Sequence, residues 1–440
     1  MKLTAILILL AQGAAAQGDA GLNLADAVAQ GLKSDNIVKQ EAARIDGARA
    51  GLEQARLSRY GGLKVKGMYT DGNDPVYAFA SSMKQGTFSM ASMATINDPD
   101  PVRNYMAGVE AGVPVYTGGA LKNAAKMGAL GVEAATAGYE RAQAGITFKV
   151  TYQWLTVLLR EKLARLGEDT VKSAEEEMKT ARMLLDKGMV PGADYYGAEA
   201  ILATLKGYRL SWRMALLTEQ QKLGAAVGQG GAVPAAGELA EAVYAPNGAD
   251  TGARRDVKAL DKMAEISRTQ EDMQKNSVLP VVEAFGSWET NSESLSDFRD
   301  NRMLGLRLTL PIGDPTYYAK RDGAKAEAAM AKSRADEARK QAGVKLAEAH
   351  CNYQTALDSL PVAKETVDKA RPSLELFRPL YRQGRQSVLE VLRAQAALMQ
   401  AEAGYYETLY KLNLYHAQEL LAAEALDAAA VKDMSAKLSK

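Results

Sequence analysis

The chain has 440 residues, of which 47% are apolar but only 6% are aromatic. Alanine, leucine and long charged side chains dominate, a composition that favours long, closely packed helices over an aromatic globular core. The 54 basic and 53 acidic residues nearly cancel, so the charge gives no signature of nucleic-acid binding. A single cysteine, Cys351, excludes an internal disulfide, and the sequence around it predicts neither a metal site nor a cofactor.

The first sixteen residues, 1–16, predict a secretory signal peptide. Lys2 precedes an apolar run, and three alanines ending at Ala16 place the cleavage site before Gln17. A buried N-terminal helix is the alternative interpretation. No later apolar run is long enough to span a bilayer as a helix. The sequence therefore predicts an exported chain.

Residues 17–227 predict the first of two structural repeats. Apolar periodicity indicates a helix, then strands near 62–70 and 104–115, then a helical hairpin that turns near residue 188. The segment 71–102 between the two strands is far longer than a hairpin turn, so we expect an exposed, partly ordered loop there.

The second repeat, 253–425, has the same order of elements. Its strands are expected near 279–289 and 302–310, and its helical hairpin turns near residue 384. Residues 426–440 are predicted to form a C-terminal tail.

The two repeats correspond in register. Gly108 matches Gly305 at an offset of 197 residues, and Gly188 matches Gly384 at an offset of 196. The Gly/Ala/Pro-rich segment 228–252 lies between the repeats and predicts a linker. The chain is therefore an internal duplication of a strand-strand-helix-turn-helix unit.

The last predicted strand carries the clearest alternation of side chains. One of its faces is entirely aliphatic, while Arg307 and Thr309 lie on the other; the aliphatic residues are Leu304, Leu306, Leu308 and Leu310. This pattern is typical of a transmembrane β-barrel wall, with lipid on one side and water on the other. Two hairpins on a soluble sheet are the alternative.

Both hairpins are predicted to reverse at a glycine. The helical pattern before each reversal continues for about seventy residues, or roughly 100 Å at 1.5 Å per residue. Gly188 and Gly384 suit the turns because glycine adopts a left-handed helix terminus without Cβ strain. Pro361, Pro372 and Pro379 precede the second turn, and they predict either a kinked helix or one built from shorter pieces.

The chain resembles the TolC-like outer-membrane channel proteins, also called outer-membrane factors. The resemblance rests on the duplicated order of elements over roughly 20–425, on the signal peptide, and on two stretches, GVPVYTGGALKNAAKMGA and GRQSVLEVLRAQAALMQAE. It implies a mainly α fold with a β-barrel part. Three chains would each give four strands to a twelve-stranded barrel in the outer membrane of a Gram-negative bacterium, continued by a periplasmic α-helical barrel.

The resemblance also implies a function and partners. The homotrimer would be a passive exit duct for efflux or type I secretion, contacting outer-membrane lipid, a periplasmic adaptor and an inner-membrane transporter of the RND or ABC type. The turns at Gly188 and Gly384 would dock the adaptor. In the family, a tyrosine before the second turn and acids after it form the periplasmic constriction. The candidate gate residues here are Tyr381, Arg385, Glu390, Arg393 and Asp194.

Two other classes of protein are alternatives to this interpretation. A periplasmic adaptor also carries a helical hairpin, but it should have one hairpin and flanking lipoyl-like domains, whereas this chain has two. A secreted enzyme lacks support because no nucleophile elbow or phosphate-binding loop is present. The two histidines, His350 and His416, lie in helical patterns that favour packed or surface roles.

Overall fold

The computed structural model describes residues 21–242, 244 and 254–439. The predicted signal peptide and part of the predicted linker lie outside the described residues. The chain divides into two compact units. A helical unit comprises the described residues within Met1–Ala42, Gly138–Val257 and Ala338–Lys440, and a strand-bearing unit comprises Ala43–Ala137 and Lys258–Glu337.

Helices account for most of the described chain. In chain order they are α1 Leu24–Ser34, α2 Asn36–Leu57, α3 Pro75–Gln85, α4 Ala120–Asp186, α5 Gly192–Val227, α6 Arg255–Lys275, α7 Tyr317–Arg382, α8 Val388–Ala422 and α9 Ala428–Leu438. None of these helices combines the length and the apolar character needed to cross a bilayer. The expectation of a mainly α protein with a smaller β part is confirmed.

Four strands form one antiparallel sheet. They are β1 Gly62–Gly72, β2 Val102–Thr117, β3 Val281–Ser292 and β4 Arg299–Thr309, in the spatial order β1-β2-β3-β4. The central β2–β3 pair joins a strand of the first repeat to a strand of the second, with Gly108 opposite Glu289. Its register shifts between Pro114 and Tyr116, where proline offers no N–H to the ladder. Strands β1 and β4 are edges with no further partner among the described residues.

The two faces of the sheet differ in polarity. The register places one apolar, exposed set of side chains on the same face: Leu63, Val65, Val113, Trp288, Leu304, Leu306 and Leu308. The other face carries ion pairs, Lys66 with Glu110 and Arg307 with Glu283 at 3.4 Å. A sheet with one apolar and one charged face separates two different environments.

The helical unit is built around long buried seams of α4 and α8. Trp154 of α4 is fully buried, and its indole N–H donates to the carbonyl oxygen of Leu22 at 2.7 Å. The described part of the predicted linker belongs to the same core rather than joining the repeats as a free connection. Its apolar side chains pack against these helices, and the buried ones are Val233, Ala235, Leu239, Ala242 and Tyr244.

The segment predicted as an exposed, partly ordered loop and the predicted C-terminal tail each contain a helix. Within 71–102, α3 begins after Asp74, whose carboxylate accepts the Tyr77 N–H at 2.9 Å, and it ends at the left-handed Gly86. Within 426–440, Asp427 caps α9 in the same way. Both helices are short and amphipathic, so a search for long periodic segments misses them. Their N-terminal capping residues, Asp74 and Asp427, are the signal in the sequence that predicts them.

Helix α7 continues through all three of its prolines. Pro361, Pro372 and Pro379 lie inside the single helix Tyr317–Arg382, and each is exposed. A proline removes one N–H from the helix, but on the solvent side water can satisfy the freed carbonyl. Of the two alternatives that the prolines predicted, a helix built from shorter pieces is excluded.

His416 of α8 lies in a buried aromatic cluster. Its ring stacks on Tyr244 with centroids 3.6 Å apart and lies 5.7 Å from Tyr353. Burial, assisted by the positive charge of Lys437 and opposed by Asp433, lowers the pKa of His416 from 6.5 to about 4. The neutral imidazole is thus the form that the folded chain accommodates.

We expect this burial to make stability depend on pH between about 6.5 and 4. Because the folded-state pKa lies below the unfolded one, the unfolded chain takes up the proton first, and stability falls as pH drops through that window. The loss is about 3 kcal/mol for a shift of this size, because one pKa unit corresponds to about 1.4 kcal/mol. Thermal unfolding followed by circular dichroism in detergent should show a smaller pH dependence in His416→Gln than in the parent. An identical dependence in the two chains would contradict the assignment.

The paired helical turns and the apolar sheet face

The two helical turns close in the same way. At the end of α4, the N–H of Gly188 donates to Leu185 O and the N–H of Met189 donates to Leu184 O, both at 2.9 Å. At the end of α7, Gly384 N–H donates to Tyr381 O at 2.9 Å and Arg385 N–H to Leu380 O at 2.8 Å. Each pair of bonds is a Schellman motif, which satisfies the last free carbonyls of a helix.

Glycine is required at both turns because of the left-handed backbone conformation, and not because neighbouring atoms would crowd a Cβ. Gly188 and Gly384 both have φ = 72°, and a Cβ at either position would have nothing within 4 Å. A β-branched side chain would fit the space but not the left-handed backbone. Pro191, directly before α5, restarts the helix after the first turn.

The turns face each other across a cleft of about 480 Å³. Asp194 comes from the first hairpin, while Tyr381, Gly384 and Arg385 come from the second, and all four line the cleft. Glu390 and Arg393 do not line it. The fold therefore brings together part of the predicted gate set, and the remaining two residues lie further along α8.

Tyr381 is a core residue of its own chain. Its side chain is 3% exposed and packs in a cluster that includes Met178, Leu374, Val388 and Leu392. Burial, with the nearby charge of Glu177, raises the pKa of Tyr381. Its hydroxyl has no hydrogen-bond partner within the described residues. The phenol thus packs the two hairpins together.

The charged residues around the second turn differ in their pairing. Arg393 donates to Glu390 at 2.7 Å, an exposed pair one helical turn apart on α8. Across residues 21–242, 244 and 254–439, neither Arg385 nor Asp194 has an ion-pair partner. An exposed pair such as Arg393–Glu390 contributes little stability.

Two polar contacts in this region were not predicted from the sequence. Arg378 of α7 donates to Ser173 Oγ at 2.5 Å and lies 3.6 Å from Glu177 of α4. Gln395 of α8 donates to the Thr170 carbonyl oxygen at 2.9 Å. The partners lie about two hundred residues apart, and the only sequence signal was the presence of polar side chains within an apolar helical seam.

The first turn exposes apolar side chains and the second exposes basic ones. Met183, Met189 and Tyr196 surround the first turn with largely exposed side chains. Arg382 and Arg385 are exposed at the second. An exposed apolar patch bordered by charge is a common property of protein-binding surfaces.

The predicted lipid-facing leucines are exposed along β4. Leu304 is 85% exposed, Leu306 and Leu308 are similarly open on the same face, and Leu310 follows one residue beyond the end of β4. Leu306 lies opposite Ala284 of β3, so its neighbour on this face is also apolar. Within the described part of the chain, no cluster of three or more acidic, histidine or cysteine side chains could hold a metal.

Solved structures of similar fold cover nearly the whole chain. The outer membrane channel CmeC of Campylobacter jejuni matches with a TM-score of 0.81 at 14% identity, over 95% of this chain and 90% of CmeC. The open-state channel MtrE of Neisseria gonorrhoeae matches with a TM-score of 0.80 at 15% identity, over 93% and 91%. The outer membrane protein VceC of Vibrio cholerae matches with a TM-score of 0.75 at 16% identity, over 90% and 96%.

Sequence comparison gives the family directly. No curated protein matches the chain. The outer membrane efflux protein family matches residues 27–229 and 252–426, which together span most of both repeats. The chain therefore belongs to the outer membrane efflux protein family, which confirms the resemblance inferred from its sequence.

Proposed function

We propose that the chain is the outer-membrane exit duct of a tripartite efflux or type I secretion system. The observation that carries this proposal is the four-stranded sheet, which has one apolar face and two unpaired edge strands. A membrane-spanning sheet must satisfy every backbone hydrogen bond, because hydrocarbon offers none. A lone four-stranded sheet cannot meet that requirement.

Three copies would complete the sheet as a closed barrel. Strand β4 of one chain would pair with β1 of the next, so that three chains supply twelve strands and leave no edge. The leucine face of β4 would then meet lipid, and the ion-paired face would line an aqueous lumen. Tyr69 and Tyr105, 4.8 Å apart on the apolar face, lie where an interfacial aromatic girdle is expected.

The paired turns are the proposed docking surface for a periplasmic adaptor. Exposed Met183, Met189 and Tyr196 offer the apolar contact that an adaptor's helical tip would bury. An inner-membrane transporter of the RND or ABC class would supply the energy. A passive duct of this kind catalyses no reaction and need not recognise its cargo, so the transporter would set the specificity.

The same turns are the proposed periplasmic gate. MtrE was captured as an open state of its channel, and we infer that this chain also has an open and a closed state. In the closed state, the unpaired Arg385 would contact an acid of a neighbouring chain, most simply Asp194. Adaptor binding would shift the population towards the open state by separating such pairs.

The sheet orientation predicts unequal effects for arginine on the two faces of β4. Leu306→Arg should destabilise insertion by about 2–4 kcal/mol if the residue lies near the bilayer midplane. Met303→Arg, on the opposite face of the same strand, is the matched control and should assemble. The readout is a heat-modifiable trimer band from detergent-extracted outer membranes. Normal assembly of Leu306→Arg would contradict the lipid-facing assignment.

The turn geometry predicts that Gly384 tolerates asparagine better than valine. Valine in a left-handed conformation costs about 1–2 kcal/mol, whereas asparagine adopts that conformation readily. Gly384→Val should therefore lower the thermal-unfolding midpoint measured by circular dichroism in detergent, and Gly384→Asn should change it little. Equal midpoints for the two variants would disprove the requirement for a left-handed residue.

The gate hypothesis predicts larger currents when Arg385 is removed. Arg385→Ser trimers in planar bilayers should show higher conductance or open probability than the parent. Tyr381→Phe alone should leave currents unchanged, because the buried hydroxyl forms no hydrogen bond among the described residues. The double variant, Tyr381→Phe with Arg385→Ser, should therefore behave like Arg385→Ser. Arg393→Ser is the matched control, since Arg393 already pairs within its chain. If assembled Arg385→Ser trimers carried the same currents as the parent, the gate would not lie at this turn.

A further inference from the structure

Helix α3 lies on the polar face of the sheet. Gln85 donates to the Arg103 carbonyl oxygen at 2.6 Å and to Asn104 Oδ1 at 3.0 Å, and Asn104 in turn donates to Asn291 at 3.0 Å. Lys84 forms an ion pair with Glu289 at 2.6 Å. These contacts extend over β2 and β3, and they share the face that carries the Lys66–Glu110 pair.

The position of α3 along the strands is also fixed. The Tyr77 hydroxyl donates to the Val102 carbonyl oxygen at 3.1 Å, at the start of β2, and accepts from the Thr70 hydroxyl at 2.7 Å, near the end of β1. The Asn301 amide of β4 donates to the Lys84 carbonyl oxygen at 3.2 Å. Helix α3 therefore lies near the end of the sheet where the β1–β2 and β3–β4 connections are, opposite the end that leads into the long helices.

The two faces of α3 have opposite surroundings. The side chains that face the sheet are small or polar and buried: Ala78, Ser81 and Gln85. The residues on the opposite side of the helix are apolar and exposed: Val76, Phe79, Ala80 and Met83. Of these, Phe79 also packs edge to face on Phe88 of its own chain, with ring centroids 5.2 Å apart. The spacing of this second set at i, i+3, i+4 and i+7 is that of a helix face which packs against protein.

The exposed apolar face of α3 cannot be covered by lipid. The sheet lies between α3 and the face that carries Leu304, Leu306 and Leu308. If that leucine face meets the bilayer, α3 lies in the aqueous lumen, where an apolar stripe that its own chain covers only at Phe79 is unfavourable. In a threefold barrel, the other two copies of α3 lie at the same height around the lumen axis, each rotated by one third of a turn.

We propose that α3 is a lid at the outer mouth of the duct, closed when three copies meet through Val76, Phe79, Ala80 and Met83. This inference rests on the proposed trimeric barrel. The interior of a twelve-stranded barrel is wider than that of an eight-stranded barrel, which side chains alone can fill. It is narrower than the aqueous channel of a sixteen-stranded porin. Three helices, each about 10 Å across, would occupy much of that lumen. The polar contacts of Lys84 and Gln85 would hold each lid against its own wall.

Reversible cross-linking of the apolar face tests the proposal. The starting chain is Cys351→Ser, which removes the native thiol, and Met83→Cys places a new thiol on a side chain that is 55% exposed. A short bifunctional methanethiosulfonate should give a cross-linked dimer on a non-reducing gel. Single-channel conductance should fall severalfold at the same time, and dithiothreitol should reverse both effects. Val76→Cys, on the same face, is a second variant in case Met83→Cys fails to fold.

Ser81→Cys is the matched control on the same helix. Its side chain is 4% exposed and faces the sheet, so this variant should assemble and remain uncross-linked. Assembled Met83→Cys and Val76→Cys trimers that do not cross-link would overturn the lid while leaving the duct intact. A parent chain that gives no heat-modifiable trimer would instead overturn the proposed duct. Replacing both Lys84 and Gln85 by alanine should raise the parent conductance, and unchanged conductance would also count against the lid.

Discussion

The pairing of β2 with β3 is the interaction on which the strand-bearing unit depends. Each repeat supplies one antiparallel pair, and an isolated pair of strands is only marginally stable in water. The β2–β3 ladder joins the two pairs into one sheet, in which Gly108 lies opposite Glu289. It also sets which side chains share a face, because a shift of one residue would move every side chain to the opposite face. The polarity of the two faces therefore follows from this register.

The long helices impose a different constraint, the need to reverse direction twice. The chain meets it with the same Schellman motif at Gly188 and Gly384, so the duplication preserves hydrogen bonding in detail as well as order. The side chains around the turns have diverged, since one turn exposes methionines and the other exposes arginines. Backbone geometry is thus shared by the repeats, while the surfaces they present can serve different contacts.

Several polar side chains of the second repeat contact residues of the first repeat or of the predicted linker. Gln395 bonds the Thr170 carbonyl, Arg378 lies between Ser173 and Glu177, and His416 stacks on Tyr244. The hydrogen bonds of Gln395 and Arg378 favour this arrangement of helices, because a different register would break them. Long alanine-rich helices have few large side chains to define their register, and these contacts supply specificity that the apolar seams lack.

The sequence by itself determined the features that depend on local chemistry. The duplication, the glycine turns and the leucine face of β4 follow from residue periodicity and from backbone conformations that only certain residues adopt. The tertiary structure decided where side chains from distant segments meet. It placed Tyr381 inside its own chain, built the described part of the linker into the core, and laid α3 on the polar face of the sheet. These outcomes depend on contacts between residues up to about two hundred positions apart, whose energies no local pattern encodes.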